Sequence, residues 1–76
     1  MDKKPTKQLI AEKSGLTVGE VGTYMCDLDQ RPDGNWIVYF GNEIELVPGL
    51  MKNLSPEKTI CIDREIANNW YDRGNG

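Results

Sequence analysis

The sequence has no histidine, two cysteines, one phenylalanine and no long apolar run. Each scarcity removes a class of protein. Cys26 and Cys61 lie far apart, outside any Cys-x-x-Cys pattern, so with no histidine to help them they frame neither a zinc site nor an acid–base centre. No stretch approaches the ~18–20 apolar residues that cross a bilayer. The opening Met1-Asp2-Lys3-Lys4-Pro5 is polar and lacks the apolar segment of a secretory signal. A cytoplasmic location with reduced thiols is therefore expected. Both cysteines then read as small buried hydrophobes, one closing a helix and one inside a strand. No enzyme, cofactor, metal site or membrane contact is expected. Pairs such as Glu43/Glu45 and Asp63/Glu65 have a spacing common on solvated surfaces, and nothing frames a pocket around them.

At 76 residues the chain is expected to be one domain over 1–76, with loose ends at 1–5 and 74–76. A chain of this size buries roughly 60–65% of its unfolded surface, enough for one modest core. Its net charge of −3 is unevenly spread. Residues 1–19 carry four lysines against two acids, whereas residues 20–76 carry five bases against ten acids. An anionic partner would meet the N-terminal segment first and be repelled by the rest.

Local signals order the chain as helix, helix, hairpin, strand, helix, an α+β arrangement. Thr6–Ser14 reads as a helix with Pro5 before it and Gly15 as its left-handed stop. Thr17-Val18-Gly19-Glu20 is a capping box that opens a second helix, and Val18, Val21, Met25 and Leu28 extend an apolar stripe along it. Arg31-Pro32-Asp33-Gly34 is a turn. Trp36–Phe40 and Glu43–Val47 read as the strands of a β-hairpin around Gly41-Asn42. Two registers stay open there. A two-residue loop sets Tyr39 opposite Ile44; a three-residue loop sets Phe40 opposite Ile44 and gives the cleaner apolar face. Leu50–Leu54 reads as a helical turn or irregular chain. Thr59–Ile62 is a strand, and Asp63 caps a last helix with Ile66 and Trp70 on one face and Gly74 after it.

The most informative stretch is Thr6 to Met25, which fits a helix-turn-helix. Ala11 permits close approach of two helices, Gly15 takes the turn, and Val21 locks the crossing, with Ile10, Leu16, Val18 and Tyr24 in support. An ordinary corner between two helices has the same needs. A hairpin directly behind such a corner is the order of a winged helix, with Gly41-Asn42 as the wing tip. On Gly15-Leu16-Thr17-Val18-Gly19-Glu20-Val21, Trp36-Ile37-Val38-Tyr39, and Cys61-Ile62-Asp63-Arg64-Glu65 with Trp70, the chain resembles the small phage excisionases. Their winged-helix domains are related to the DNA-binding part of MerR-type regulators.

The resemblance implies a small DNA-binding accessory or regulatory protein of a phage or mobile element. Such a protein binds double-stranded DNA, biases an integrase towards excision or controls transcription, and can self-associate on DNA. By position, Thr17, Gly19, Glu20 and Thr23 would face the major groove, and Asn35, Gly41 and Asn42 would form the wing contacts. Lys4, Lys7, Lys13 and Arg31 would contact phosphates. One departure stands out: residues 17–28 hold Glu20 and Asp27 and no base, where excisionases carry Arg or Lys. Glu20 can accept from a cytosine amino group or serve only as the capping-box residue.

Two other readings use the same residues. An acidic winged helix could bind a partner protein such as a repressor, polymerase or nuclease, with Trp36, Tyr39 and Phe40 beside Glu43 and Glu45 as its interface. Those aromatics serve equally well as core. Lys7-x-Leu9-Ile10-Ala11-Glu12-Lys13-Ser14-Gly15-Leu16 also resembles the start of HU-like architectural proteins, but their long basic arm is missing.

Overall fold

Residues 2–47 and 49–71 are described by a computed structural model of the chain. Among them, three short α-helices and a three-stranded antiparallel sheet form an α+β fold. Local chemistry accounts for both N-terminal helices. α1 spans Lys7–Ser14; the Thr6 hydroxyl accepts from the Leu9 N–H at its start, and Gly15 ends it at φ 77°. α2 spans Val18–Tyr24 and opens on the expected capping box. Glu20 N–H donates to Thr17 Oγ1 at 3.1 Å, and Thr17 N–H donates to Glu20 Oε1 at 2.9 Å.

α2 does not continue to Leu28, as its apolar stripe predicts. Met25–Gln30 forms strand β1 instead and pairs with β2, Trp36–Phe40. Gly19 and Gly22 weaken the helix by up to ~1 kcal/mol each, while the strand gains a full hydrogen-bonded ladder. Leu28 stands opposite Val38 and Gln30 opposite Trp36, with a bulge between Met25 and Asp27. The turn at Arg31–Gly34 closes this hairpin. Arg31 N–H donates to Asn35 O at 2.7 Å, Asp33 Oδ1 accepts from Asn35 N–H at 2.9 Å, and Gly34 sits at φ 94°.

The hairpin expected around Gly41-Asn42 is therefore absent. β3, Thr59–Ile62, takes the other side of β2, with Val38 opposite Ile60, so the sheet order is β1-β2-β3. With both sides of β2 occupied, Glu43–Val47 has no strand to join, and neither expected register applies. Asn42–Leu46 winds into a 3₁₀ turn that buries Ile44 and leaves Leu46 80% exposed. Leu50–Asn53 is a second 3₁₀ turn, the helical form of the two expected there.

α3, Arg64–Asn69, starts as expected on Asp63, whose Oδ1 accepts from Glu65 N–H at 2.8 Å. Ala67 is its buried residue and Ile66 is exposed, so the inward face differs from the one expected; half-buried Trp70 packs against the core just past the helix. Gly74 lies outside the described residues. Trp36, Val38 and Phe40 point from β2 into the core with Leu9, Ile10, Val21, Ile44 and Ile62. Trp36 and Phe40 are thus core residues, while Tyr39 lies half-buried on the opposite face of the sheet. The cysteines are neither buried nor paired: Cys26 sits at the β1 bulge and Cys61 on the solvent side of β3, both exposed.

Ahead of α1, Asp2 and Lys3 contact distant parts of the chain. Asp2 Oδ1 meets Arg64 Nε at 2.7 Å, and Asp2 Oδ2 accepts from Gln30 Nε2 at 2.6 Å. Lys3 Nζ donates to Trp70 O at 2.6 Å and lies 4.4 Å from the centre of the Tyr71 ring. The Gln30 hydrogen bond, then those of Arg64 and Asn68, hold the Asp2 carboxyl below its ordinary pKa. A lowered folded-state pKa stabilises the fold above the unfolded value of ~3.9 and loses that contribution as pH falls through the folded one. We predict that urea midpoints measured from pH 5 down to pH 2.5 fall less for Asp2→Asn than for the natural chain. Parallel curves would contradict the clasp.

Candidate nucleic-acid interface

The α1–α2 corner is held by the three residues its pattern requires. Ala11 and Val21 are buried between the helices, and Gly15 carries the turn, its N–H donating to Ala11 O at 2.9 Å. A fourth support comes from far along the chain. Asn53 Nδ2 donates to Ser14 O at 3.3 Å, and a Cβ at Gly15 would collide with the same amide. The buried Ser14 hydroxyl is satisfied by Ile10 O at 2.7 Å. The second 3₁₀ turn is thereby fastened to the α1–α2 corner through Asn53, the neighbour of Lys52.

The residues expected to face a groove are all on α2 or its cap, and Thr17, Glu20 and Thr23 each make a local hydrogen bond that leaves further donor or acceptor capacity. Glu20 is the capping-box acceptor for Thr17 N–H, and Thr17 Oγ1 accepts from Glu20 N–H. Thr23 Oγ1 donates to Gly19 O at 2.9 Å. Gly19 is exposed, and beside it stands Val18, 44% exposed, which the apolar stripe assigned to the core.

The expected wing residues divide. Asn35 lies at the β1–β2 hairpin, where its Oδ1 accepts from Arg64 N–H at 2.9 Å and so helps cap α3. Arg31, at the same tip, leans over the sheet to within 3.9 Å of Asp33 and 3.5 Å of Cys61 Sγ; the thiol first and Asp33 second raise its pKa above the usual arginine value. Gly41 and Asn42 are not a tip. They line an open groove of about 380 Å³ with Thr23, Tyr24, Met25, Cys26 and Glu43, at the C-terminal end of α2. Gly41 N–H donates to Tyr24 O at 2.7 Å there.

The lysines are arranged more tellingly. Lys58 pairs with Glu45 at 3.3 Å and Arg64 with Asp2, while Lys3 is spent on Trp70 O and Tyr71. Among the described residues, Lys4, Lys7, Lys13 and Lys52 have no acidic partner, and all four are exposed. Lys4 precedes α1. Lys7 Nζ lies over α2, 3.6 Å from where a Cβ on Gly22 would sit. Lys13 is in the last turn of α1, before Gly15, and Lys52 precedes Asn53, whose amide meets Ser14 O. Lys52 was not among the residues singled out from the sequence; its placement depends on the Asn53–Ser14 contact between distant segments.

No group of His, Cys, Asp or Glu able to hold a metal occurs among the described residues, and none of their helices is long and apolar enough to cross a membrane. Comparison with known proteins yields no matching family model, no matching curated protein and no matching solved structure.

The corner itself is testable. Gly15→Ala places a side chain in left-handed backbone and against Asn53, which costs about 1–2 kcal/mol. At roughly 4–8 °C per kcal/mol for a domain of this size, the loss is readable as a lower Tm by circular dichroism. An unchanged Tm would contradict the left-handed turn.

Proposed function

We propose that the protein is a small DNA-binding accessory or regulatory protein with a winged-helix arrangement, of the excisionase-like kind. α1 and α2 form its helix-turn-helix, α2 enters the major groove, and the β1–β2 hairpin directly behind them is the wing. In this reading the wing tip is Arg31–Asn35 rather than Gly41-Asn42.

One observation carries the proposal. In a chain of net charge −3, the lysines without an acidic partner among the described residues are Lys4, before α1, Lys7 and Lys13, on α1, and Lys52, next to the Asn53 that meets Ser14 O. Phosphate neutralisation supplies most sequence-independent affinity for DNA, and a cluster of unpaired ammonium groups beside an exposed helix is the electrostatic footprint it needs. Of the acids, Glu12 on α1 and Glu20 on α2 share the corner with these lysines, and four others are engaged elsewhere. Asp27 and Asp29 accept from Leu28 and Gln30 N–H on β1, Asp33 holds the hairpin turn, and Asp2 closes the N-terminal clasp. Four contacts make a weak binder. Affinity sufficient for function then comes from several copies along one site or from an integrase or regulatory partner bound beside it.

The partner-protein reading loses its proposed aromatic interface, because Trp36 and Phe40 are buried. What remains for it is the acidic β1 edge.

The test is a titration of a duplex read by fluorescence anisotropy at several salt concentrations. Log K should fall against log salt with a slope of about −3 to −4, and each of Lys7→Ala, Lys13→Ala and Lys52→Ala should reduce that slope by about one. Affinity that ignores both salt and the three substitutions would overturn the proposal.

A further inference from the structure

We propose that Gln30, Arg64 and Asn68 form an anion site at the base of the wing, and that Asp2 fills it in cis and so withholds it from a phosphate of the duplex. The inference rests on the DNA-binding reading above and deepens it, because it names a contact that the folded chain keeps closed.

The site is built from two elements distant in sequence. At the end of β1, Gln30 Nε2 donates to Asp2 Oδ2 at 2.6 Å. From α3, Arg64 Nε donates to Asp2 Oδ1 at 2.7 Å and Asn68 Nδ2 to the same oxygen at 3.3 Å. A guanidinium and two amides thus converge on one carboxylate. That donor set suits a phosphate oxygen as well as a carboxylate oxygen. Asp2 belongs to neither element; it is brought to the site on the segment ahead of α1.

The site adjoins the proposed wing tip. Gln30 Nε2 also donates to Gly34 O at 3.0 Å, and Arg64 Cδ lies 2.7 Å from where a Cβ on Gly34 would sit. The Arg64 side chain is 54% exposed, which leaves its guanidinium within reach of a duplex lying on the tip. Asp2 holds its place by tether as well as by charge. Lys3, the next residue, donates from its N–H to Asn68 Oδ1 at 2.6 Å and from Nζ to Trp70 O. A short tether presents a group at an effective concentration on the order of millimolar, so a phosphate meets an occupied site. Asp33, Asp63 and Glu65 adjoin the tip and Arg64 in sequence and add repulsion, so emptying the site yields one phosphate contact rather than several.

The experiment empties the site. Asp2→Ala removes the occupant, and Asp2→Asn keeps an acceptor for Arg64 without the charge. Amide NMR spectra establish that each variant keeps the natural fold. Inorganic phosphate is then titrated while the side-chain amide signals of Gln30 and Asn68 are followed. They should move in Asp2→Ala and stay fixed in the natural chain. Duplex affinity, read by anisotropy across salt concentrations, should be higher for Asp2→Ala than for the natural chain, with a log–log slope steeper by about one. Asp2→Asn should show a gain in the same direction. Adding Arg64→Gln to Asp2→Ala should remove the gain.

A folded Asp2→Ala chain whose side-chain amides ignore phosphate would overturn the anion site. Duplex binding no tighter than that of the natural chain in both variants would overturn the self-blocking role and leave DNA binding standing. A gain that survives Arg64→Gln would also overturn it, since long-range charge alone would then account for the effect. Failure of every chain to bind any duplex would overturn the DNA reading on which the inference rests, while the phosphate titration still decides the site.

Discussion

The fold depends on β2. Trp36, Val38 and Phe40 alternate into the core, and both edges of the strand are occupied, by β1 on one side and β3 on the other. That double occupancy decides the rest. It draws Met25–Gln30 out of the second helix, and it leaves Glu43–Val47 no strand to pair with. From that segment it lets through only Ile44, fully buried against the same face. The helices then cover the side of the sheet that carries Trp36 and Phe40, which removes those rings from any interface.

On this platform the α1–α2 corner is nearly self-specified. Thr6, Gly15 and the Thr17/Glu20 box define its ends by contacts three or four residues apart, so it can be recognised without the sheet. Its surroundings are not so local: Asn53, in the second 3₁₀ turn, donates to Ser14 O from far along the chain. The separation of charge also depends on the tertiary fold: Asp2 finds Arg64 and Gln30, and Glu45 finds Lys58, leaving the corner's lysines unanswered. The capping box on α2 secures the helix start and commits Glu20 Oε1 to Thr17 N–H.

What the sequence made legible follows the range of the interactions involved. The helix starts, the Gly15 stop, the turn at Arg31–Gly34, strand β3 and the Asp63 cap are all short-range features, and each was readable. The end of α2 was not, because an apolar stripe at helical spacing is overruled by a strand ladder closed from Asn35 onward. The hairpin was displaced by one element for the same reason: Glu43–Val47 alternates like a strand, and only the competition for β2 shows that it is not one. Cys26 and Cys61 read as core because cysteine usually is; a bulge and a solvent-facing register expose them. Asn35 read as a wing contact, and no local signal could reveal that its side chain serves Arg64, far along the chain. Among the site residues, Lys7 and Lys13 are exposed and have no acidic partner among the described residues, whereas Gly41 and Asn42 were placed by a hairpin that does not form.

The central claim is that the α1–α2 corner, with Lys52 beside it, is the surface that meets DNA. The most direct measurement is backbone amide chemical-shift mapping by NMR during addition of a duplex at low salt. The account predicts shifts confined to Lys4–Thr23, to Lys52 and Asn53, and to the Arg31–Asn35 tip, reversing when salt is raised. Shifts centred on β1 and the solvent face of the sheet, or no shifts at low salt, would contradict it.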